Sequence, residues 1–225
     1  MGLQAKVSIT YGSRWLRGKV AVLFCLLALP VWAAEEITIL ALGDSLTHGY
    51  GLPADDGFVP QLEDWLNAQD HAVQIINGGV SGDTSAGAAA RVDWNLTPEV
   101  DAMIVTIGAN DFLRGIAPEV TRKNVEMILK VAQAHELPVL LVGMRAPGNF
   151  GPDYKARFDA IYPELAAAYR ALHFDGFFSG LGQGEPGDLQ RYFQPDGLHP
   201  NAEGVSRIVT AIGPAVIDLI TRAEN

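Results

Sequence analysis

The chain has 225 residues, 48% of them apolar and 19% charged, with a formal net charge of −10. That is enough sequence for one domain with its own core, and the composition is that of a globular protein, not a disordered one. A balance this acidic argues against nucleic acid or an anionic membrane surface as a partner.

The first 19 residues carry Lys6, Arg14, Arg17 and Lys19 and no acid. An apolar run follows from Val20 to Trp32, interrupted only by Pro30, and then the small residues Ala33 and Ala34. Basic, apolar, small is the order of a secretory signal. The run is too short to cross about 30 Å of hydrocarbon comfortably. The expectation is a signal peptide over 1–33, cleaved near Ala33, and an exported domain over 34–225 with no integral span left, most simply in the periplasm. Removing the leader leaves 12 basic residues against 26 acidic ones, a net charge of −14. Cys25 is the only cysteine and goes with the leader, so the mature chain has no thiol nucleophile, no cysteine zinc site and no disulfide. A domain of this size can be stable on its core alone.

Beyond the leader, five short apolar runs read as buried strands: 37–42, 73–77, 102–107, 138–144 and 174–178. Helical periodicity fills the intervals. Leu62, Trp65 and Leu66 mark a helix over 58–69, and another covers 85–96. Val125, Ile128, Leu129 and Ala132 mark 118–135, and Phe158, Ile161 and Leu165 mark 157–171. Val205, Ile208, Val209 and Ile212 mark 202–221, with a kink or restart expected at Gly213-Pro214. The stretch 180–194 reads as the longest loop. Strict alternation of strand and helix predicts an α/β domain, a three-layer α/β/α sandwich around a five-stranded parallel sheet.

Ligands of such sheets bind beyond the carboxyl ends of the strands. The residues at those exits are polar and glycine-rich: Gly43-Asp44-Ser45-Leu46 after the first strand, Ser81-Gly82-Asp83-Thr84 after the second, and Gly108-Ala109-Asn110-Asp111 after the third. Asp196-Gly197-Leu198-His199 precedes the last helix. A serine hydroxyl is a weak nucleophile until a base takes its proton. His199 is the best-placed base, because Asp196, three residues earlier, can turn back onto the imidazole. His48 is the rival, but no carboxylate clearly orients it. Asp44, Asp83 and Thr84 read as helix caps, and Asp111 as a tie between loops.

These four blocks, in this order, resemble those of the SGNH (GDSL) hydrolase family. Arg114-Gly115 and Met144-Arg145-Ala146-Pro147 with Asn149 are similar to its bacterial periplasmic branch of thioesterases, lysophospholipases and arylesterases. Ala109 departs from the glycine that many members carry. The resemblance implies a flavodoxin-like fold and acyl-ester or thioester hydrolysis through an acyl-serine. It makes Ser45 the nucleophile, His199 the base and Asp196 its orienter. The Ser45 and Gly82 N–H groups and the Asn110 amide would form the oxyanion hole. No metal or organic cofactor is implied. Phe112, Leu113, Ile116, Arg145 and Pro147 are expected to border a small acyl-ester or lysolipid substrate, and the domain is expected to be a monomer. An acyl transfer needing a neutral imidazole should slow below roughly pH 6–7, where ordinary histidines take up a proton. Two other readings stand beside this one. The carboxylates Asp44, Asp83, Asp111 and Asp196 could gather with His199 around a divalent ion in a phosphoesterase, or the domain could bind a lipid or carbohydrate without catalysis. A chelator discriminates the first, and turnover the second.

Overall fold

In the computed structural model the described residues are 1, 2, 4, 36–182 and 186–225. The expected signal peptide and its cleavage point lie outside them. The unit from Ala34 to Asn225 contains a five-stranded, all-parallel sheet.

In chain order, β1 (Ile37–Gly43) leads into a one-turn helix α1 (Ser45–His48), then α2 (Phe58–Asn67), β2 (Val73–Gly79) and α3 (Ser85–Asn95). Next come β3 (Ala102–Thr106), the short α4 (Ala109–Leu113), α5 (Pro118–Ala134) and β4 (Val139–Val142). The chain closes with α6 (Pro152–Asp159), α7 (Ile161–Tyr169), β5 (Leu172–Phe174), α8 (Pro186–Leu189) and α9 (Ala202–Ala223). The strand order is β2-β1-β3-β4-β5. Helices α2 and α9 pack together on one face, and α3, α5 and α7 cover the other, which is the expected three-layer arrangement.

Burial follows position in the sheet. β1 has neighbours on both sides and is buried at every residue, whereas the edge strand β2 mixes buried, partly buried and exposed positions. Ile39, Leu40, Leu42, Met103, Ile104, Leu140 and Leu141 make a dry centre with no exposed surface. This is why the central strands read as unbroken apolar runs. Register sets the carboxyl ends level: Gly43 stands opposite both Gly79 of β2 and Thr106 of β3. Successive crossovers leave β1 to opposite sides, so a crevice opens between the exits of β1 and β3.

Four elements differ from expectation. The last strand is Leu172–Phe174, not 174–178, and Phe177–Leu181 curls into a 3₁₀ turn that packs against α9. An apolar run alone does not distinguish a buried strand from such a turn. The single helix expected over 157–171 is two helices, because Pro163 has no N–H to give the Asp159 carbonyl. Of the kink or restart expected at Gly213-Pro214, the restart does not occur: α9 is continuous through Pro214, with α2 packed against it and the Trp65 ring lying directly on Gly213. The 180–194 stretch contains short helical turns at its end, including Gln190–Tyr192. Helix α9 is long and apolar enough to cross a bilayer, but half of its most apolar stretch is buried within the domain.

Candidate active site

Ser45 opens α1 directly after β1, and Asp44 caps that helix by accepting from the Leu46 N–H at 3.0 Å. The Ser45 side chain sits at the crevice with 9% of the residue exposed. His199 Nε2 lies 2.9 Å from Ser45 Oγ, although the two residues are 154 apart in sequence. On the other side of the imidazole, Nδ1 is 2.7 Å from Asp196 Oδ2. The remaining Asp196 oxygen accepts from the Leu198 N–H at 2.9 Å and the His199 N–H at 3.0 Å. Gly197, between them, has φ +67°, which makes the turn tight enough for a carboxylate to meet a ring three residues on. These bonds hold the Asp196 carboxyl at about 2, with the imidazole contact the largest cause and the two N–H donors next. An ionised carboxylate on Nδ1 leaves Nε2 free to accept a hydroxyl proton.

The three expected oxyanion donors line the same cleft as Ser45 and His199. Gly82 has φ +81°, a left-handed conformation, and a Cβ there would meet only Arg114 Nη2 at 3.9 Å. The backbone geometry, not crowding, is what calls for glycine. Arg114 Nη2 donates to the Gly82 carbonyl at 2.7 Å and holds this turn. Asn110 lies in the first turn of α4, and its Nδ2 donates one hydrogen to Asp44 Oδ2 at 3.3 Å, leaving the other for a ligand. Asp44 is completely buried, and burial pushes its carboxyl up to about 6 against the opposing pull of the Leu46 N–H and the Asn110 amide.

His48, the rival base, is engaged elsewhere, with Nδ1 3.0 Å from Ser81 Oγ. The remaining carboxylates do not gather with His199. Asp111 is buried and accepts from the Ser85 N–H at 2.8 Å, from the Ser85 hydroxyl and from Thr121 Oγ1 at 3.0 Å, tying α3, α4 and α5 together. Thr84 caps α3, but Asp83 instead pairs with Arg91 at 2.8 Å. Among the described residues no group of three or more His, Cys, Asp or Glu is arranged to hold a metal ion.

The cleft measures about 660 Å³. Phe112, Leu113, Arg145 and Pro147 line it. Ile116 does not: it lies outside the lining, its carbonyl taking the Tyr154 hydroxyl at 2.7 Å. Helix α4 ends at Leu113, three residues before Ile116. Arg145 pairs with Asp175, and its loop is pinned by the Ala146 N–H to Asp159 at 2.8 Å and by Lys155 Nζ to the Ala146 carbonyl at 2.8 Å. Sequence reasoning missed Tyr50, Phe178, Phe193 and Leu198, which also line the cleft. The Phe178 and Phe193 rings meet at 5.6 Å. The available signal was aromatic residues in strand-exit loops; assigning Phe178 to a strand and Phe193 to a plain loop concealed it.

Arg91, also unforeseen, bonds the carbonyls at the ends of two strands, Gly43 and Gly78, each at 2.8 Å. It thereby fixes the spacing of the exits from which the Ser45 and Gly82 turns depart.

The GDSL-like lipase/acylhydrolase family matches residues 41–207. The chain is 33% identical over 195 residues to esterase TesA of Pseudomonas aeruginosa, covering 86% of this chain and 94% of that one. It is 33% identical over 179 residues to thioesterase 1/protease 1/lysophospholipase L1 of Escherichia coli, covering 79% and 82%. The crystal structure of AlinE4, an SGNH-hydrolase family esterase, superposes with a TM-score of 0.68 at 39% identity, covering 83% of this chain and 97% of that one. The match over residues 41–207, most of the domain, means that this chain belongs to the GDSL-like lipase/acylhydrolase family.

Proposed function

We propose that the protein is a serine hydrolase of carboxylic acyl esters and thioesters, working through an acyl-serine intermediate. The observation that carries the reading is the unbroken run of contacts from Asp196 through His199 to Ser45 Oγ at the wall of an apolar cleft.

Ser45 Oγ attacks the acyl carbon while His199 Nε2 takes its proton. The carbonyl oxygen becomes an oxyanion, which the Ser45 and Gly82 N–H groups and the Asn110 amide stabilise. Collapse breaks the ester or thioester bond, and His199 returns the proton to the leaving alkoxide or thiolate. Water then attacks the acyl-serine by the same route, with His199 again the base, and releases the carboxylic acid. Asp196 keeps the imidazole in the tautomer that both steps require. The chemistry needs no metal.

Phe112, Leu113 and Pro147 offer apolar surface for an acyl chain, and Arg145 stands at the same wall. Short and medium acyl esters, aryl esters, acyl-thioesters and lysophospholipids are the substrate classes that suit such a cleft, in keeping with the esterase, thioesterase and lysophospholipase activities for which the relatives are named. The basic, apolar and small pattern of the first 34 residues supports export to the periplasm, where esters and lysolipids, not cytoplasmic thioesters, are the substrates at hand. The acidic surface left after cleavage suits a monomer.

The test is hydrolysis of p-nitrophenyl esters from acetate to palmitate by the mature chain and by Ser45→Ala. The expected result is turnover that EDTA leaves intact and that Ser45→Ala lowers by about three orders of magnitude or more. Equal rates for the two proteins would remove Ser45 from the mechanism, and loss of activity to EDTA would reopen the metal-dependent reading.

A further inference from the structure

His199 lies on no regular element. It sits in a hairpin, 193–200, closed by an antiparallel bridge between Phe193 and Pro200 and by the Gln194 N–H, which donates to the His199 carbonyl at 2.8 Å. The Gly197 N–H donates to the Gln194 carbonyl at 2.9 Å and completes the turn. These bonds shape the hairpin but do not aim it at Ser45, which belongs to a distant segment.

One side chain joins the two. Gln194 Nε2 donates to the Tyr50 carbonyl at 2.8 Å and to the Pro200 carbonyl at 3.0 Å, which uses both of its hydrogens. The Tyr50 N–H in turn donates to the Ser45 carbonyl at 3.1 Å. The Tyr50 ring lies against the imidazole with centroids 4.7 Å apart. A continuous path of hydrogen bonds therefore runs from the nucleophile segment, through the Gln194 amide, to the hairpin that carries the base. The amide packs on Gly51, where φ is +76° and an added Cβ would stand 2.2 Å from Gln194 Oε1.

We propose that Gln194 is a positioning residue for acyl transfer: its side-chain amide clamps the His199 hairpin to the Ser45–Tyr50 segment and so sets the alignment of Nε2 on Oγ. This inference rests on Ser45 and His199 acting as nucleophile and base. Gln194 touches neither of the reacting atoms. Its effect comes through geometry, and a displacement of about 1 Å in such a pair can cost on the order of 10²-fold in rate. The base of the hairpin is held by other bonds. Asn201 caps α9 through the Gly204 N–H at 3.0 Å and donates to the Arg191 carbonyl at 2.7 Å, and Gln61 Nε2 reaches the Ala202 carbonyl at 3.2 Å. Removing the Gln194 amide should therefore loosen the imidazole without unfolding the domain.

The test is steady-state kinetics of Gln194→Met, which keeps the length of the side chain and deletes the donor. Rates are normalised to Ser45 sites titrated to completion with a fluorophosphonate, so that an unfolded fraction does not count. The expected result is a fall in kcat of about 10- to 100-fold with KM changed less than about threefold. Gly51→Ala, which drives a methyl into the same amide, should lower kcat similarly. The double variant should lie within about threefold of the weaker single, because one link cannot be broken twice. A Gln194→Met kcat within twofold of wild type, or losses that multiply in the double variant, would overturn the clamp. Failure of the fluorophosphonate to label Ser45 in the wild type would instead overturn the assignment of the nucleophile.

Discussion

Asp44 is a completely buried carboxyl beside the nucleophile, and its titration makes a prediction about stability. Burial raises it from the ordinary 3.8 to about 6 in the folded chain. Well below 3.8 the carboxyl is protonated in both folded and unfolded states and contributes no pH dependence. Between about 4 and 6 the unfolded chain has released the proton and the folded chain has not, so stability falls as pH rises. Above about 6 both states are ionised and the penalty is constant. A shift of about two units corresponds to about 3 kcal/mol. Asp44→Asn keeps an oxygen for the Leu46 N–H but cannot ionise. The expected result, from urea unfolding of both proteins at pH 4, 6 and 8, is that the variant gains about 2 kcal/mol on the wild type between pH 4 and pH 8, the rest of the total lying below pH 4. Any fixed cost of disturbing the Asn110 amide is the same at every pH and cancels in that comparison. A difference between the two proteins that does not change with pH would refute the account of Asp44 as a buried carboxylate that must ionise at a cost.

Two other substitutions probe the site and its support. Asp196→Asn retains an acceptor for the Leu198 and His199 N–H groups but turns a donor toward Nδ1, which favours the wrong tautomer; kcat should fall by about 10³- to 10⁴-fold with little change in Tm, and a loss below tenfold would contradict the role of Asp196. Because the wild-type Asp196 carboxyl is held at about 2, it stays ionised above about pH 4, and its contribution to stability is lost only as pH falls from there toward 2. Arg91→Met would leave the Gly43 and Gly78 carbonyls and the Asp83 carboxylate without their shared donor. Urea unfolding at pH 8 should register a loss of about 2–4 kcal/mol, and a loss under about 0.5 kcal/mol would show that the arginine does not hold the strand exits.

Much of this protein is determined locally. The central strands are buried on both faces, so nearly every side chain but Thr38 and Thr106 is apolar and the run is visible in the sequence; the amphipathic helices declare themselves by period. The site blocks are legible for a related reason. Each is a short turn at a strand exit, and the Asp196–His199 contact closes within three residues, so its geometry depends on local backbone alone. Tertiary structure decided the rest. Whether Phe177–Leu181 pairs as a strand or curls beneath α9, and whether α9 continues through Pro214, depends on neighbours that are remote in the chain. The same holds for Arg91, which reads as an ordinary surface cation until β1 and β2 bring two carbonyls to it, and for Phe178 and Phe193, which become a cleft wall only when their loops meet. The 2.9 Å contact between His199 and Ser45 spans 154 residues. Its ingredients are written in the sequence, but their alignment is not, because hydrogen-bond geometry between distant segments is set by how the whole sheet and its helices pack.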